Sequence, residues 1–85
     1  MRELDLRGLR CPLPTLKARK ALNAMAPGER LRVIADDPMA AIDLPHFLNA
    51  SHHALQDSGK EDERLWFVAV SGGAPRDRMG ESDKD

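Results

Sequence analysis

The chain has 85 residues, which is enough for one small domain and too few for two. Its 41% hydrophobic and 32% charged residues are ordinary for a globular domain, and the net charge of −1 argues against bulk nucleic-acid binding. No apolar run approaches a membrane span, residues 1–5 contain no signal-peptide core, and the only cysteine cannot form an internal disulfide. We therefore expect a cytoplasmic protein that binds neither membranes nor nucleic acid directly.

Residues 3–7 alternate between charged and apolar side chains, with Leu4 and Leu6 on one face. This period of two predicts a half-buried strand. Gly8 is expected to end the strand and to let the backbone turn ahead of Cys11.

Residues 12–26 predict an amphipathic helix, because apolar residues recur every three or four positions. The apolar stripe consists of Ala18, Ala21, Leu22 and Met25. Pro12 and Pro14 fit only the first turn, where helix amides have no internal acceptor and a missing N–H costs no hydrogen bond. Cys11 is therefore expected near the N-cap, and Pro27-Gly28 is expected to end the helix.

Residues 31–35 predict a second strand, and Asp36-Asp37-Pro38 is expected to stop it and to cap the next segment. Pro45 leaves two interpretations of that segment. The preferred one has a short turn over residues 38–42 and then a helix capped by Asp43, with Pro45 in its first turn. The alternative is one longer helix that is kinked at Pro45.

Residues 54–58 predict a weak strand, residues 59–63 a polar turn, and residues 65–70 a strong strand rich in aromatic and β-branched side chains. Residues 72–85 are expected to form a disordered tail, which leaves a single domain over residues 1–71. The order of elements is βαβαββ. The predicted fold is α+β, a two-layer α/β sandwich with two helices on one face of a four-stranded sheet.

Charged residues are unevenly distributed along the chain. Residues 6–28 contain cations and no acid, whereas residues 36–63 contain seven acids and one lysine. The cations of the first segment are Arg7, Arg10, Lys17, Arg19 and Lys20. This pattern is typical of two solvated faces of opposite sign. It equally fits a local positive field that stabilises an anionic sulfur and attracts an acidic partner.

Cys11 is the candidate reactive residue. Sulfur chemistry uses the thiolate, and both the amide dipoles of a helix N-terminus and the charges of Arg7 and Arg10 are expected to favour it. Pro12 and Pro14 are expected to stiffen the loop and hold the sulfur outward, although they also remove N–H donors. The alternative is that Cys11 is a small buried apolar residue, as many free cysteines are.

Other candidate sites have simpler structural explanations. His46, His52 and His53 do not have the spacing of a helical metal pair, so no metal site is expected. Asp36 and Asp37 are explained as a strand-to-helix cap more simply than as paired catalytic carboxylates. The sequence has no phosphate-binding glycine loop and no dinucleotide fingerprint, and no cofactor is expected.

The segment LDLRGLRCPLP over residues 4–14 closely resembles the signature of the TusA/SirA family of small sulfur-carrier proteins. The resemblance continues through residues 27–29, 33–38 and 43–45, and covers residues 3–71. It implies a two-layer βαβαββ sandwich with a mixed sheet, which agrees with the order of elements derived above.

In that family, the motif cysteine accepts sulfane sulfur as a persulfide and passes it to the next protein of a relay. The resemblance implies this role for Cys11, with Gly8, Pro12 and Pro14 as positioning residues. It also implies a donor such as a cysteine desulfurase or a rhodanese, and a downstream acceptor protein. The relays that family members serve are tRNA thiolation, molybdenum-cofactor assembly and sulfur oxidation.

Some relatives carry a further cysteine in the second helix. This chain has none, so Cys11 must discharge to another molecule. We expect a carrier with sulfurtransferase-type chemistry and not a stand-alone enzyme.

A second hypothesis is a regulatory or protein-interaction module. In this hypothesis Cys11 only terminates a loop, and the basic face of the first helix, formed by Lys17, Arg19 and Lys20, binds a partner. The reactivity of the native thiol toward an alkylating reagent separates the two hypotheses, because a buried and slow cysteine contradicts a carrier.

Overall fold

A computed structural model describes residues 1–74 of the chain. The elements are β1 (Arg2–Asp5), α1 (Leu13–Asn23), β2 (Arg30–Ala35), α2 (Ala40–Ala50), β3 (Ala54–Glu61) and β4 (Arg64–Val70). This is the predicted βαβαββ order. Within residues 1–74, no helix is long and apolar enough to cross a membrane.

The four strands form one mixed sheet in the order β1-β2-β4-β3. β1 and β2 are parallel because the connection through α1 carries the chain back to the end of the sheet where β1 begins. The pairs β2–β4 and β3–β4 are antiparallel. The carboxyl ends of β1 and β2 therefore lie side by side, and the loops that follow both strands meet at this edge of the sheet.

The core lies between the helices and one face of the sheet. Alternate side chains of β2 and β4 point into it, and both helices add every third or fourth residue. Its principal members are Leu22 from α1, Leu31 and Val33 from β2, Leu44 and Leu48 from α2, and Phe67 from β4. This arrangement confirms the two-layer α+β sandwich with both helices on one face.

The preferred interpretation of the second helix was wrong. α2 begins at Ala40 and contains Pro45 in its interior, in agreement with the alternative of a single helix. A proline at this position removes one helical hydrogen bond and costs about 3 kcal/mol. Burial of Leu44 and Leu48 contributes about 1.5–3 kcal/mol each, which offsets that cost.

The C-terminal hairpin is longer than its sequence indicated. β3 extends to Glu61, and the turn consists of Asp62 and Glu63, with Asp62 at a φ of 56°. Gly59 indicated a turn, but it lies inside β3 opposite Trp66. The indole ring of Trp66 covers Gly59 so closely that no side chain fits there, so this glycine serves close packing.

The first residues of the predicted tail are hydrogen-bonded to the domain. The Gly72 amide donates to Nδ1 of His53 at 2.8 Å, and the Gly73 carbonyl oxygen lies 2.8 Å from Nε2 of His52. Residues 75–85 lie outside the described residues. A domain boundary at residue 71 and a disordered tail over residues 72–85 stay predictions.

Candidate functional site around Cys11

Cys11 lies on the loop between β1 and α1, and its side chain is exposed. The loop turns at Gly8, whose φ of 88° is a conformation that other residues rarely adopt. The Gly8 amide donates to Oδ1 of Asp36 at 2.9 Å. The strand end and the glycine thus place the cysteine beside the loop that follows β2.

Asp37 fixes the backbone of Cys11. Its Oδ2 accepts a hydrogen bond from the Cys11 amide at 2.7 Å, and its Oδ1 accepts one from the Met39 amide at 3.1 Å. Asp37 is only 4% exposed, so these amides replace the water that its carboxylate has lost. One buried carboxylate therefore connects the cysteine loop to the residue that caps α2.

The first turn of α1 supplies few donors to the sulfur. Pro12 is the N-cap residue and Pro14 is buried, and neither has an N–H. The Leu13 amide donates to the Arg10 carbonyl oxygen at 2.9 Å. The peptide bond between Cys11 and Pro12 is cis.

The Cys11 thiol donates a hydrogen bond to Oδ2 of Asp43, with Sγ and Oδ2 3.0 Å apart. Asp43 lies in the first turn of α2. This hydrogen bond, followed by desolvation and by the negative charges of Asp43 and Asp37, raises the pKa of the Cys11 thiol. The sequence predicted the opposite direction, a thiolate favoured by the helix N-terminus and by Arg7 and Arg10.

The two arginines are engaged elsewhere, which explains the difference. Nη2 of Arg7 lies 2.7 Å from Oδ2 of Asp5, and the hydrogen bonds from Arg7 lower the pKa of Asp5 to about 2. Nη1 of Arg10 lies 3.2 Å from Oδ1 of Asp36. The hydrogen bond from the Gly8 amide and, to a smaller extent, Arg10 lower the pKa of Asp36.

The basic face of α1 is solvent-exposed. Lys17, Arg19 and Lys20 take part in none of the three ion pairs found within residues 1–74. The structure therefore leaves their charges available, but it does not bring them to the sulfur.

Four large apolar side chains are exposed on α1 and at the start of α2. Leu13 and Leu16 of α1 are both 44% exposed, Met39 is 45% exposed and Ile42 is 63% exposed. Leu13 lies two residues along the chain from Cys11. Met39 and Ile42 are close in sequence to Asp37 and Asp43, which accept hydrogen bonds from Cys11. We call these four residues the apolar rim. Exposed apolar clusters of this kind commonly mark protein-interaction surfaces.

Sequence reasoning proposed Cys11, Gly8, Pro12 and Pro14 as site residues and did not foresee that two aspartates would contact Cys11. The sequence explains Asp37 and Asp43 as helix caps, and their contacts with Cys11 span 26 and 32 residues of the chain. Two signals were available. The family resemblance includes residues 33–38 and 43–45, and residues 36–63 have an excess of acids, although a solvated face produces the same excess. Within residues 1–74, no cluster of three or more His, Cys, Asp or Glu could hold a metal ion.

Two comparisons with known proteins identify one family, and a third supports the fold. The family model described as Sulfurtransferase TusA matches residues 2–70. The Sulfur carrier protein TusA of Allochromatium vinosum is 44% identical over 66 residues, which are 78% of this chain and 87% of that protein. The crystal structure of a SirA-like protein from Desulfitobacterium hafniense has the same fold, with a TM-score of 0.71 and 23% identity over 85% of this chain and 99% of that one.

Proposed function

This chain belongs to the TusA family, and from this premise we propose that it is a sulfur carrier whose Cys11 holds sulfane sulfur as a persulfide. The observation that carries the proposal is the exposed thiol of Cys11 on a loop whose backbone is fixed by Asp37. An exposed thiol can meet a partner's sulfur, and a fixed loop presents it in one orientation.

Sulfur acceptance needs no redox cofactor. The Sγ atom of Cys11 attacks the outer sulfur of a donor persulfide, the new S–S bond forms, and the S–S bond of the donor breaks. The donor leaves as a thiolate and takes up the proton that Cys11 gives up. Transfer of the sulfur to the acceptor protein is the same exchange. A thiol of the acceptor attacks the outer sulfur of the Cys11 persulfide, and Cys11 leaves as the thiolate. Because Cys11 is the only cysteine, both steps are intermolecular.

The partners are a sulfur donor, such as a cysteine desulfurase or a rhodanese, and a downstream acceptor protein. Both must approach within bonding distance of Cys11, so both must cover the surface around it. The apolar rim supplies the area for such a contact, and its residues Leu13 and Ile42 come from the two helices that flank the thiol. We expect Arg7, Arg10 and the basic face of α1 to add docking charges for an acidic partner.

Intact-protein mass spectrometry tests the proposal. The protein is incubated with a cysteine desulfurase and cysteine, or with a rhodanese and thiosulfate, beside the Cys11→Ala variant. We expect the mass of one sulfur atom to be added to the wild type, to be lost on reduction and to be absent from the variant. An accessible Cys11 that gains no sulfur from either donor would contradict the proposal.

The exposed basic face of α1 favours one other candidate function, a protein-interaction module that does not use the thiol. Lys17, Arg19 and Lys20 are free of ion pairs within the described part of the chain. If this were the function, charge reversal at these three residues would abolish partner binding while Cys11→Ala retained it. A sulfur carrier, in contrast, would lose its function in the Cys11→Ala variant.

A further inference from the structure

The hydrogen bond between Cys11 and Asp43 has a fixed direction. The thiol of Cys11 is the donor, and Oδ2 of Asp43 is the acceptor, since a carboxylate has only acceptor atoms. When the thiol ionises, this hydrogen bond disappears and two negative charges face each other across about the same distance. The contact therefore stabilises the thiol and opposes the nucleophilic thiolate.

The other charged groups around Cys11 do not compensate for Asp43. Asp37, on the loop before α2, adds a second negative charge and holds the Cys11 amide. Arg10, on the cysteine's own loop, pairs with Asp36, and Arg7 pairs with Asp5. Asp43 takes part in none of the three ion pairs of residues 1–74, so its carboxylate is available to a cation from another molecule.

We propose that Asp43 holds the resting Cys11 thiol protonated, and that a sulfur donor activates it by placing a lysine or arginine against the Asp43 carboxylate. This inference rests on the proposed function and specifies the chemistry of the partner, which presents a cation beside its persulfide. The cation competes with the thiol for Oδ2 of Asp43 and removes the opposing charge. Sγ then ionises and attacks the outer sulfur of the donor, whose leaving thiolate takes up the proton.

The first test compares the pH dependence of alkylation in Asp43→Asn and in the wild type with a neutral reagent such as iodoacetamide. We expect the midpoint to move down by about one pH unit in the variant, because an amide does not repel a thiolate. A lower pKa gives more thiolate at pH 7, but that thiolate is a weaker nucleophile. The alkylation rate at pH 7 is therefore expected to rise only about threefold. Asp57→Asn, on β3, removes the same charge away from Cys11 and is the matched control.

The expected result is a shifted profile in Asp43→Asn and an unshifted one in Asp57→Asn, with both variants folded by circular dichroism. Coincident profiles for Asp43→Asn and wild type would overturn the proposal. The measurement uses no sulfur donor. If wild type failed to load sulfur while the profile shifted, the carrier function would fail and control by Asp43 would stand. If wild type loaded sulfur while the profiles coincided, the carrier function would stand and control by Asp43 would fail.

A second measurement needs no variant at position 43. The wild type is reacted with methanethiosulfonate reagents that carry a cationic or an anionic tail. The rate of each reagent with Cys11 is divided by its rate with 2-mercaptoethanol, which removes the intrinsic reactivity of the reagent. If a cation relieves the effect of Asp43, we expect the cationic reagent to be favoured roughly tenfold at low salt, with a smaller preference at high salt. Equal normalised rates would overturn the proposed cationic partner.

Discussion

Asp37 offers the sharpest test of how the cysteine loop is held. Its carboxylate accepts two amide hydrogen bonds, from Cys11 at 2.7 Å and from Met39 at 3.1 Å. Hydrogen bonds to a charged acceptor contribute about 1.5–3 kcal/mol each. Since the Cys11 loop can partly rehydrate after the carboxylate is removed, we expect Asp37→Ala to lower the free energy of unfolding by about 3 kcal/mol.

This loss is large beside the total stability of about 4–13 kcal/mol that is usual for a domain of this size. Urea denaturation followed by circular dichroism measures it directly. Asp36→Ala is the matched control. Asp36 accepts hydrogen bonds from Gly8 and Arg10 but is more exposed to water than Asp37, so we expect a clearly smaller loss of stability than for Asp37→Ala. An Asp37→Ala variant as stable as Asp36→Ala would refute the assignment of Asp37 as the residue that joins the loop to α2.

Two further predictions concern the sheet and the C-terminal end of the domain. Gly59→Ala is expected to destabilise the protein by about 2 kcal/mol or more in urea denaturation, because its Cβ would overlap the Trp66 ring; equal stability would contradict that packing. His53 has a lowered pKa because of burial and its neighbour His52, and its Nδ1 accepts the Gly72 amide. Stability is therefore expected to be full above the ordinary histidine pKa of about 6.5 and to fall as the pH decreases below it, by at most about 1.4 kcal/mol per pH unit. Denaturation at several pH values checks this, and the dependence should be weaker in His53→Gln; an unchanged slope would assign it to other groups.

The sequence predicted the fold well where the hydrophobic period was unambiguous. Strands were predicted over residues 31–35 and over residues 65–70, the second from its aromatic and β-branched side chains. The structure has strands there with one face buried against the helices. Local rules failed where tertiary packing outweighed them. Pro45 indicated a helix start, but the burial of Leu44 and Leu48 holds the preceding turn helical. Gly59 indicated a turn, although its function is to make room for Trp66.

The candidate site was predictable only in part, for a different reason. Cys11 and Gly8 belong to one continuous motif, so their proximity is fixed by the chain itself. The partners of Cys11 come from the loop after β2 and from α2, and their contacts depend on the parallel pairing of β1 with β2. No local pattern reports a hydrogen bond across 32 residues.

The charge asymmetry of the sequence has a physical meaning that differs from the simplest one. Counting cations near Cys11 suggested a positive field that favours the thiolate. Once folded, the acidic segment lies against the basic loop, so Arg10 is paired with Asp36, and Asp43 faces the sulfur instead. The electrostatic field at the sulfur depends on how far each charge lies from it and on whether that charge is paired, and not on how close the residues are in sequence. The motif therefore places the thiol, whereas Asp37 and Asp43, which lie outside the motif, supply the negative charges around it.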